Sequence, residues 1–256
     1  MFFTFIRFLP IFRYFVRLTT AGVSATIKAP IRKSSTADND PPGITERRNW
    51  MTRILCLGDS ITDCGRLFSA DPLGKGYVKQ LSCLLHNTDH RFSIENRGID
   101  GFTLERLLQN TEFWLGSSDI VTVLIGINDV GIMMNTRRSS AQQQDLMNKF
   151  VTRYELLAKK LSCTNSRKRT LYFLEPFVFP WPRCYASWAP LLSQMSVHIK
   201  KISQDHGAVF LPLQNDLDQE AARSGPASIT SDGIHLTPQG HQILADKLYK
   251  LIISER

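Results

Sequence analysis

Four short apolar runs and one short alternating segment, each followed by a glycine, a proline or a charged residue, constrain the fold of this chain more than any other feature. They lie at residues 54–57, 92–96, 120–125, 171–174 and 208–211. Runs this short, bounded by turn residues, are typical of buried strands. Between them, apolar residues repeat every three or four positions, as in helices that bury one face. This alternation predicts an α/β fold: a three-layer α/β/α sandwich around a mostly parallel five-stranded sheet.

The helical segments between these runs have ends that the sequence marks. Their apolar residues lie within 77–85, 104–108, 147–161, 191–202 and 243–252. The third helix is predicted to begin near Ser139 or Ser140, and Gly207 is predicted to end the fourth. Thr237 is predicted to cap the last helix, with Pro238 in its first turn. Residues 176–190 contain four prolines, so they predict a loop after the fourth strand that could wall a pocket.

Polar residues follow the predicted strands at the edge where a parallel sheet binds ligands. Ser60 follows the first strand, and a late Asp-Gly-Ile-His segment supplies Asp232 and His235. Acyl transfer needs a nucleophile, a base that takes its proton and an acceptor that orients the base. We therefore interpret Ser60 as the nucleophile, His235 as the base and Asp232 as the residue that orients it.

Acyl transfer also needs hydrogen-bond donors that stabilise the oxyanion of the tetrahedral intermediate. Gly98 ends the second strand in Asn-Arg-Gly, and Asn128 follows the third strand in Gly-Ile-Asn-Asp. We predict an oxyanion hole made by the backbone N–H groups of Ser60 and Gly98 and by the side-chain amide of Asn128. Each residue alone is compatible with an ordinary turn or helix cap. Their order along the chain favours catalysis.

Together these motifs resemble those of the SGNH hydrolases, also called GDSL-type esterases. The segments Gly-Asp-Ser-Ile-Thr-Asp, Asn-Arg-Gly-Ile-Asp-Gly, Gly-Ile-Asn-Asp and Asp-Gly-Ile-His occur in that order, and the likeness extends from about residue 53 to the last helix. The resemblance implies that Ser60, Gly98, Asn128 and His235 are the four residues that name the family. It also implies an SGNH/flavodoxin-like sandwich and a serine esterase that works through an acyl-enzyme, with no cofactor and no metal.

Within that family, residues 58–66 and the segment Leu-Gly-Lys-Gly-Tyr-Val are most similar to the acetyl xylan esterase branch. This likeness implies removal of acetyl groups from short xylan-derived sugars. Two positions depart from it: Leu236 follows the histidine where many relatives carry proline, and no tryptophan stands near Gly131. A lysophospholipase or acyl-thioesterase would use the same residues with a long apolar channel. A non-catalytic carbohydrate-binding relative is the alternative from another class.

Other polar residues near these motifs have a structural interpretation. Asp59 and Asp63 are expected to cap and brace the turn at the nucleophile. His241 is expected to face solvent from the last helix. His86 and His90 have the spacing of metal ligands, but the intervening Asn-Thr-Asp predicts a turn, so no metal site is expected there.

Residues 1–50 differ from the rest of the chain in composition. They hold eight Lys and Arg residues against three acidic residues, out of a net charge of +8. Arginines at 7, 13 and 17 interrupt the apolar stretch, so no membrane span is expected. We predict a basic, disordered extension ahead of an SGNH hydrolase domain at residues 51–256. It could be a targeting segment, a helix on a membrane surface or sequence upstream of a true start at Met51.

Charge and cysteine usage narrow the partners and the compartment. Residues 51–256 carry little net charge and no groove-reading motif, so no nucleic-acid partner is expected. The five cysteines are scattered without a Cys-x-x-Cys pair, which favours reduced thiols and a cytoplasmic location. The expected partner is a small-molecule or oligosaccharide ester. The sequence does not decide whether the chain forms a homo-oligomer.

Overall fold

The computed structural model describes residues 51–135, 138–162, 169–181 and 183–255. The predicted extension at residues 1–50 and the thiol of Cys163 lie outside the described residues. Within them, no helix combines the length and the apolar character needed to cross a lipid bilayer.

Five strands form one parallel sheet. They are β1 (Thr52–Gly58), β2 (Phe92–Gly98), β3 (Ile120–Leu124), β4 (Thr170–Leu174) and β5 (Val209–Leu211). Their order is β2-β1-β3-β4-β5, and every neighbouring pair is parallel. All residues of the central strand β3 are buried, as are the last five of β1, because helices cover both faces of the sheet. The predicted α/β fold with a parallel five-stranded sheet is confirmed.

Eight α-helices are present in the described residues. They are α1 (Ser60–Asp63), α2 (Tyr77–Thr88), α3 (Leu104–Trp114), α4 (Ile127–Asn135), α5 (Ser140–Ser162), α6 (Ala189–Asp205), α7 (Gln214–Ser224) and α8 (Pro238–Ser254). Helix α2 packs against α8, whereas α5 packs against α3 and α6, so the helices form two layers around the sheet. The predicted cap is confirmed, because the Thr237 hydroxyl accepts a hydrogen bond from the Gly240 N–H at 3.2 Å.

The sequence analysis missed α1, α4 and α7. Helix α7 is rich in Gln, Asn, Asp and Glu and buries only Leu217, so it has no apolar stripe for the periodicity to detect. Helix α4 begins inside Gly-Ile-Asn-Asp, where the polar residues indicated a turn. The proline-rich segment also differs from a plain loop. It contains a 3₁₀-helix at Arg183–Trp188, and Pro190 lies in the first turn of α6, where a missing N–H breaks no helical hydrogen bond.

The register of the sheet gathers the motifs at one edge. Gly58 at the end of β1 pairs with Gly98 of β2 on one side and with Leu124 of β3 on the other. The residues that follow these three strands therefore leave the sheet side by side. Ser60 and Asn128 come to the same carboxyl edge in this way.

Candidate active site

Ser60, His235 and Asp232 form a continuous chain of hydrogen bonds. His235 Nε2 lies 3.0 Å from Ser60 Oγ, and His235 Nδ1 lies 2.6 Å from Asp232 Oδ2. The second oxygen of Asp232 accepts from the N–H groups of Ile234 at 2.9 Å and His235 at 2.8 Å. The structure thus brings together the three side chains that the sequence predicted as nucleophile, base and orienting carboxylate.

Asp232 is held in its charged form. Burial alone would raise its pKa, but the hydrogen bonds from the His235 side chain and from the N–H groups of His235 and Ile234 outweigh burial. The pKa of Asp232 therefore lies below its ordinary value. A carboxylate can only accept hydrogen bonds, so it keeps the proton of His235 on Nδ1 and leaves Nε2 able to accept the proton of Ser60.

The turn that carries Ser60 is tightly packed. Asp59 caps α1 by accepting a hydrogen bond from the Ile61 N–H at 3.0 Å, which confirms its predicted capping role. A Cβ atom at Gly58 would lie 2.2 Å from Thr62 Oγ1 and 2.5 Å from the carbonyl oxygen of Leu124, so only glycine fits there. Ser60 is consequently fixed at the first residue of α1.

Two carboxylates near this turn, the buried Asp59 and the half-buried Asp129, have raised pKa values. Burial raises the pKa of Asp59 to about 7, although the Ile61 hydrogen bond and the charge of His235 lower it. Burial also raises the pKa of Asp129 to about 7, against the hydrogen bond from the Leu104 N–H. Each carboxylate therefore titrates near neutral pH beside the nucleophile turn.

The Gly98 N–H, which was predicted to be an oxyanion donor, has another hydrogen-bond partner in the structure. It donates to the side-chain oxygen of Asn96 at 2.9 Å, so it is not available to an oxyanion. A Cβ atom at Gly98 would lie 2.2 Å from the backbone nitrogen of Asp63, so glycine is required there for close packing of β2 against α1. Arg66 donates to the Gly98 carbonyl at 2.7 Å and lies 3.6 Å from the Asp63 carboxylate, which braces the turn as predicted.

Asn128 and Gly101 border a common pocket. One amide hydrogen of Asn128 is donated to the Phe102 carbonyl at 2.9 Å, and the other has no acceptor among the described residues. Gly101 adopts a positive φ of 71°, and its N–H makes no hydrogen bond in the described part of the chain. Gly101 is the second glycine of Asn-Arg-Gly-Ile-Asp-Gly, and the sequence analysis passed over it because the first glycine directly ends the strand.

Two pockets are lined by the predicted catalytic residues or by their chain neighbours. The serine-side pocket, of about 390 Å³, is lined by Ser60, Phe68, Lys75 and His235, among others. The asparagine-side pocket, of about 350 Å³, is lined by residues of two loops, of the 3₁₀-helix and of α4: Gly101, Thr103, Asn128, Gly131, Ile132, Trp188 and Ile234. Asn128 therefore borders one recess, and Ser60 and His235 border the other.

His241 is buried rather than solvent-facing, contrary to the prediction. Only 3% of it is exposed, because it lies on the buried face of α8 with Leu244 and Leu248. Its Nδ1 accepts from the Tyr77 N–H at 3.2 Å, and its Nε2 lies 3.3 Å from Cys64 Sγ. Burial, and then the charge of His235, lowers the pKa of His241 to about 4.

His86 and His90 contact each other at the surface. Their ring nitrogens are 2.9 Å apart. Among the residues that the structure describes, no three His, Cys, Asp or Glu side chains are arranged to hold a metal ion.

The proline-rich segment walls a third recess, as predicted. The α6–α7 cavity, of about 620 Å³, lies between that segment and helices α6 and α7. Its walls are mainly apolar and include Pro176, Phe179, Tyr185 and Leu192. Of the two tryptophans in the segment, Trp188 is buried, whereas 46% of Trp181 is exposed.

The chain is similar to proteins that are named as esterases. The chain is 27% identical over 203 residues to the acetylxylan esterase of Geobacillus stearothermophilus, which covers 75% of this chain and 90% of that protein. It is 26% identical to the isoamyl acetate-hydrolyzing esterase 1 homolog of Bos taurus over 78% of this chain and 81% of that protein. The crystal structure of a putative GDSL-like lipase from Parabacteroides merdae superposes with a TM-score of 0.68 at 24% identity, over 78% of this chain and 95% of that one.

The match to a family covers most of the described residues. Residues 56–243 match the GDSL-like Lipase/Acylhydrolase family. This span starts within β1, includes the turn that carries Ser60 and ends in α8 after the Asp232 and His235 turn. The chain belongs to the GDSL-like lipase/acylhydrolase family and is a carboxylic ester hydrolase.

Proposed function

We propose that this esterase hydrolyses short-chain carboxylic esters, above all acetyl esters on carbohydrates such as xylo-oligosaccharides, through an acyl-enzyme on Ser60. The observation that carries the proposal is the hydrogen-bonded chain from Ser60 through His235 to Asp232. The names of both curated relatives specify acetate esters, which supports acetyl as the acyl group. The acetylxylan esterase supports a sugar as the alcohol.

The proposed reaction has two steps that share one base. Ser60 Oγ attacks the acyl carbon while its proton passes to His235 Nε2. His235 then gives this proton to the oxygen of the departing alcohol, which leaves the acyl group on Ser60. In the second step His235 takes a proton from water, the hydroxide attacks the acyl-enzyme, and the carboxylic acid leaves as Ser60 regains its proton. Asp232 stabilises the imidazolium form of His235 in both steps.

The proposed oxyanion hole consists of the Ser60 N–H, the side-chain amide of Asn128 and the N–H of Gly101. Gly101 replaces Gly98 in this set because the Gly98 N–H is donated to Asn96. This choice is supported because the Gly101 N–H has no hydrogen-bond acceptor among the described residues. Preorganised donors of this kind stabilise the negative charge that develops on the carbonyl oxygen.

A preference for longer acyl chains is the second candidate. The α6–α7 cavity favours it, because about 620 Å³ of mainly apolar space is enough for a medium acyl chain. A lysophospholipase or acyl-thioesterase would need that space to be continuous with the reacting serine.

A hydrolysis profile tests the proposal. The full chain and its Ser60→Ala variant would be assayed on aryl acetate, butyrate and octanoate and on acetylated xylo-oligosaccharides. We expect activity on aryl acetate and on the acetylated sugars, little activity on octanoate, and loss of all activity in Ser60→Ala. Dominant activity on octanoate would favour the second candidate. Equal inactivity of both proteins on every ester would overturn the esterase mechanism and favour a non-catalytic carbohydrate-binding protein.

We also propose a reducing compartment such as the cytoplasm. The thiols of Cys56, Cys64 and Cys83 are free in the structure, which supports this location. Cell fractionation with antibodies against the full chain is the direct measurement, and enrichment in a secreted or organelle fraction would contradict it.

A further inference from the structure

The carbon that Ser60 attacks carries three groups, the departing alcohol, the carbonyl oxygen and the acyl chain, and each must point in a different direction. The departing alcohol must lie near His235, which protonates it, so the serine-side pocket, lined by Ser60 and His235, receives the alcohol. The carbonyl oxygen must point to the oxyanion donors. The acyl chain is then directed into the asparagine-side pocket, beyond Asn128, where Ile132, Trp188 and Ile234 supply apolar walls.

Trp188 forms the far wall of this acyl pocket. It is 7% exposed and sits at the end of the 3₁₀-helix that precedes α6. A Cβ atom at Gly131 would lie 3.1 Å from Cη2 of Trp188, so the indole packs closely against the middle of α4. On the other side the indole makes an edge-to-face contact with Tyr185, with ring centroids 4.8 Å apart. The indole is therefore held from both sides.

Chain neighbours of Trp188 line the α6–α7 cavity. Tyr185 and Ala189, on either side of Trp188 in the chain, both line that cavity. The two recesses are linked again at Phe179, which lines the cavity and donates its N–H to the Gly233 carbonyl at 2.9 Å, next to Ile234 of the acyl pocket. Trp188 thus lines the acyl pocket, whereas its chain neighbours Tyr185 and Ala189 line the α6–α7 cavity.

We propose that Trp188 is the specificity-determining residue for acyl-chain length, because its indole closes the acyl pocket against the α6–α7 cavity. This inference rests on the proposed function and deepens it. The acetyl group of a short ester ends before the indole. An octanoyl chain needs the space behind it, which is apolar and large enough but closed.

The test first replaces the indole of Trp188 by a smaller side chain and then fills the α6–α7 cavity with a larger one. In Trp188→Leu, the ratio of kcat/KM for aryl octanoate to kcat/KM for aryl acetate should rise by about tenfold or more. The reason is that several methylene groups of the octanoyl chain would gain apolar contacts in the cavity. Adding Ala221→Leu, which projects from α7 into the α6–α7 cavity, should reverse that gain while leaving acetate hydrolysis unchanged. The matched control is Trp181→Leu, in the same segment but lining none of the three recesses, and its ratio should equal that of the wild type.

Each outcome of these measurements either supports the role of Trp188 or contradicts it. An unchanged ratio in a folded Trp188→Leu protein overturns the proposal, as does a raised ratio that Ala221→Leu fails to reverse. If Trp188→Leu unfolds, as large-to-small core changes can cause, Trp188→Phe keeps an aromatic ring and must show a smaller rise in the same direction. Binding of octanoate to Ser60→Ala with and without Trp188→Leu, measured by calorimetry, needs no catalysis. If the wild-type protein hydrolyses none of the esters, the proposed function is wrong. If octanoate binds Ser60→Ala equally well with and without Trp188→Leu, Trp188 does not control acyl-chain length.

Discussion

The side chain of Asn128 has two amide hydrogens, and only one of them has an acceptor among the residues that the structure describes. The hydrogen donated to the Phe102 carbonyl fixes the orientation of the amide at the start of α4. The second hydrogen is left for a ligand in the asparagine-side pocket. An amide fixed in this way loses little orientational entropy when an oxyanion forms, so its contribution falls mainly on the transition state.

Replacing Asn128 by alanine should therefore slow the reaction without unfolding the protein. Loss of one oxyanion donor typically costs about 3–4 kcal/mol, so kcat on aryl acetate should fall by roughly 10²–10³-fold. The control is Asn110→Ala, which removes a comparable amide bond to the Arg106 carbonyl at 2.8 Å on the exposed face of α3. Steady-state kinetics and a melting curve on both variants check this. A fall of similar size in Asn110→Ala would contradict a specific role for Asn128.

At the scale of elements, His241 joins three parts of the fold. It lies on α8, accepts a hydrogen bond from the first residue of α2, and contacts Cys64 at the C-terminal cap of α1. Since Nδ1 accepts the Tyr77 N–H, Nε2 carries the proton and donates it to the Cys64 sulfur. Protonation at Nδ1 would break the contact with α2. The neutral form of His241 thus holds the nucleophile turn between two helices.

This arrangement predicts a stability difference that depends on pH. The pKa of His241 is about 4 in the folded protein and about 6.5 in the unfolded chain, so between these values only the unfolded state binds the proton. The stabilisation is full above pH 6.5 and is lost as the pH falls towards 4. Relative to His241→Gln, which does not titrate, the wild type should lose about 3 kcal/mol of unfolding free energy across this range.

Urea denaturation of both proteins at several pH values measures that difference. The raised pKa values of Asp59 and Asp129 act in the opposite direction, because the stabilisation from these carboxyls is full below pH 3.8 and is lost as the pH rises towards 7. Both are present in either protein, so their effect cancels in the comparison. A difference that does not vary with pH would contradict a buried, neutral His241.

At the scale of the whole molecule, residues 51–255 supply all five described strands and every proposed catalytic group. Strand β1 begins at Thr52, one residue after Met51, and the described chain ends in the turn after α8. A chain that starts at Met51 should therefore fold cooperatively and hydrolyse aryl acetate with the same kcat/KM as the full chain. Circular dichroism melting curves and kinetics on both proteins test this. Failure of the shorter chain to fold would assign residues 1–50 a structural role.

The sheet was predictable because its strands are short apolar runs closed by glycine or polar residues, a signal that depends on local sequence alone. The same holds for the motifs that place Ser60, Asp232 and His235. Choosing between Gly98 and Gly101 was different, since both glycines follow the same strand and the choice depends on a hydrogen bond from Asn96 that no local pattern encodes. His241 was misplaced because a polar residue can share a buried helix face when tertiary contacts satisfy both of its nitrogens.

Asn96 has a consequence for the order in which this molecule opens and closes. Its amide nitrogen donates to the carbonyls of Thr62 at 2.7 Å and Leu73 at 2.8 Å, while its oxygen accepts the Gly98 N–H. One buried side chain thus ties together the nucleophile turn, the connection before α2 and the end of β2. We therefore expect these segments to open together in native-state hydrogen exchange, with the Gly98 amide protected until they separate.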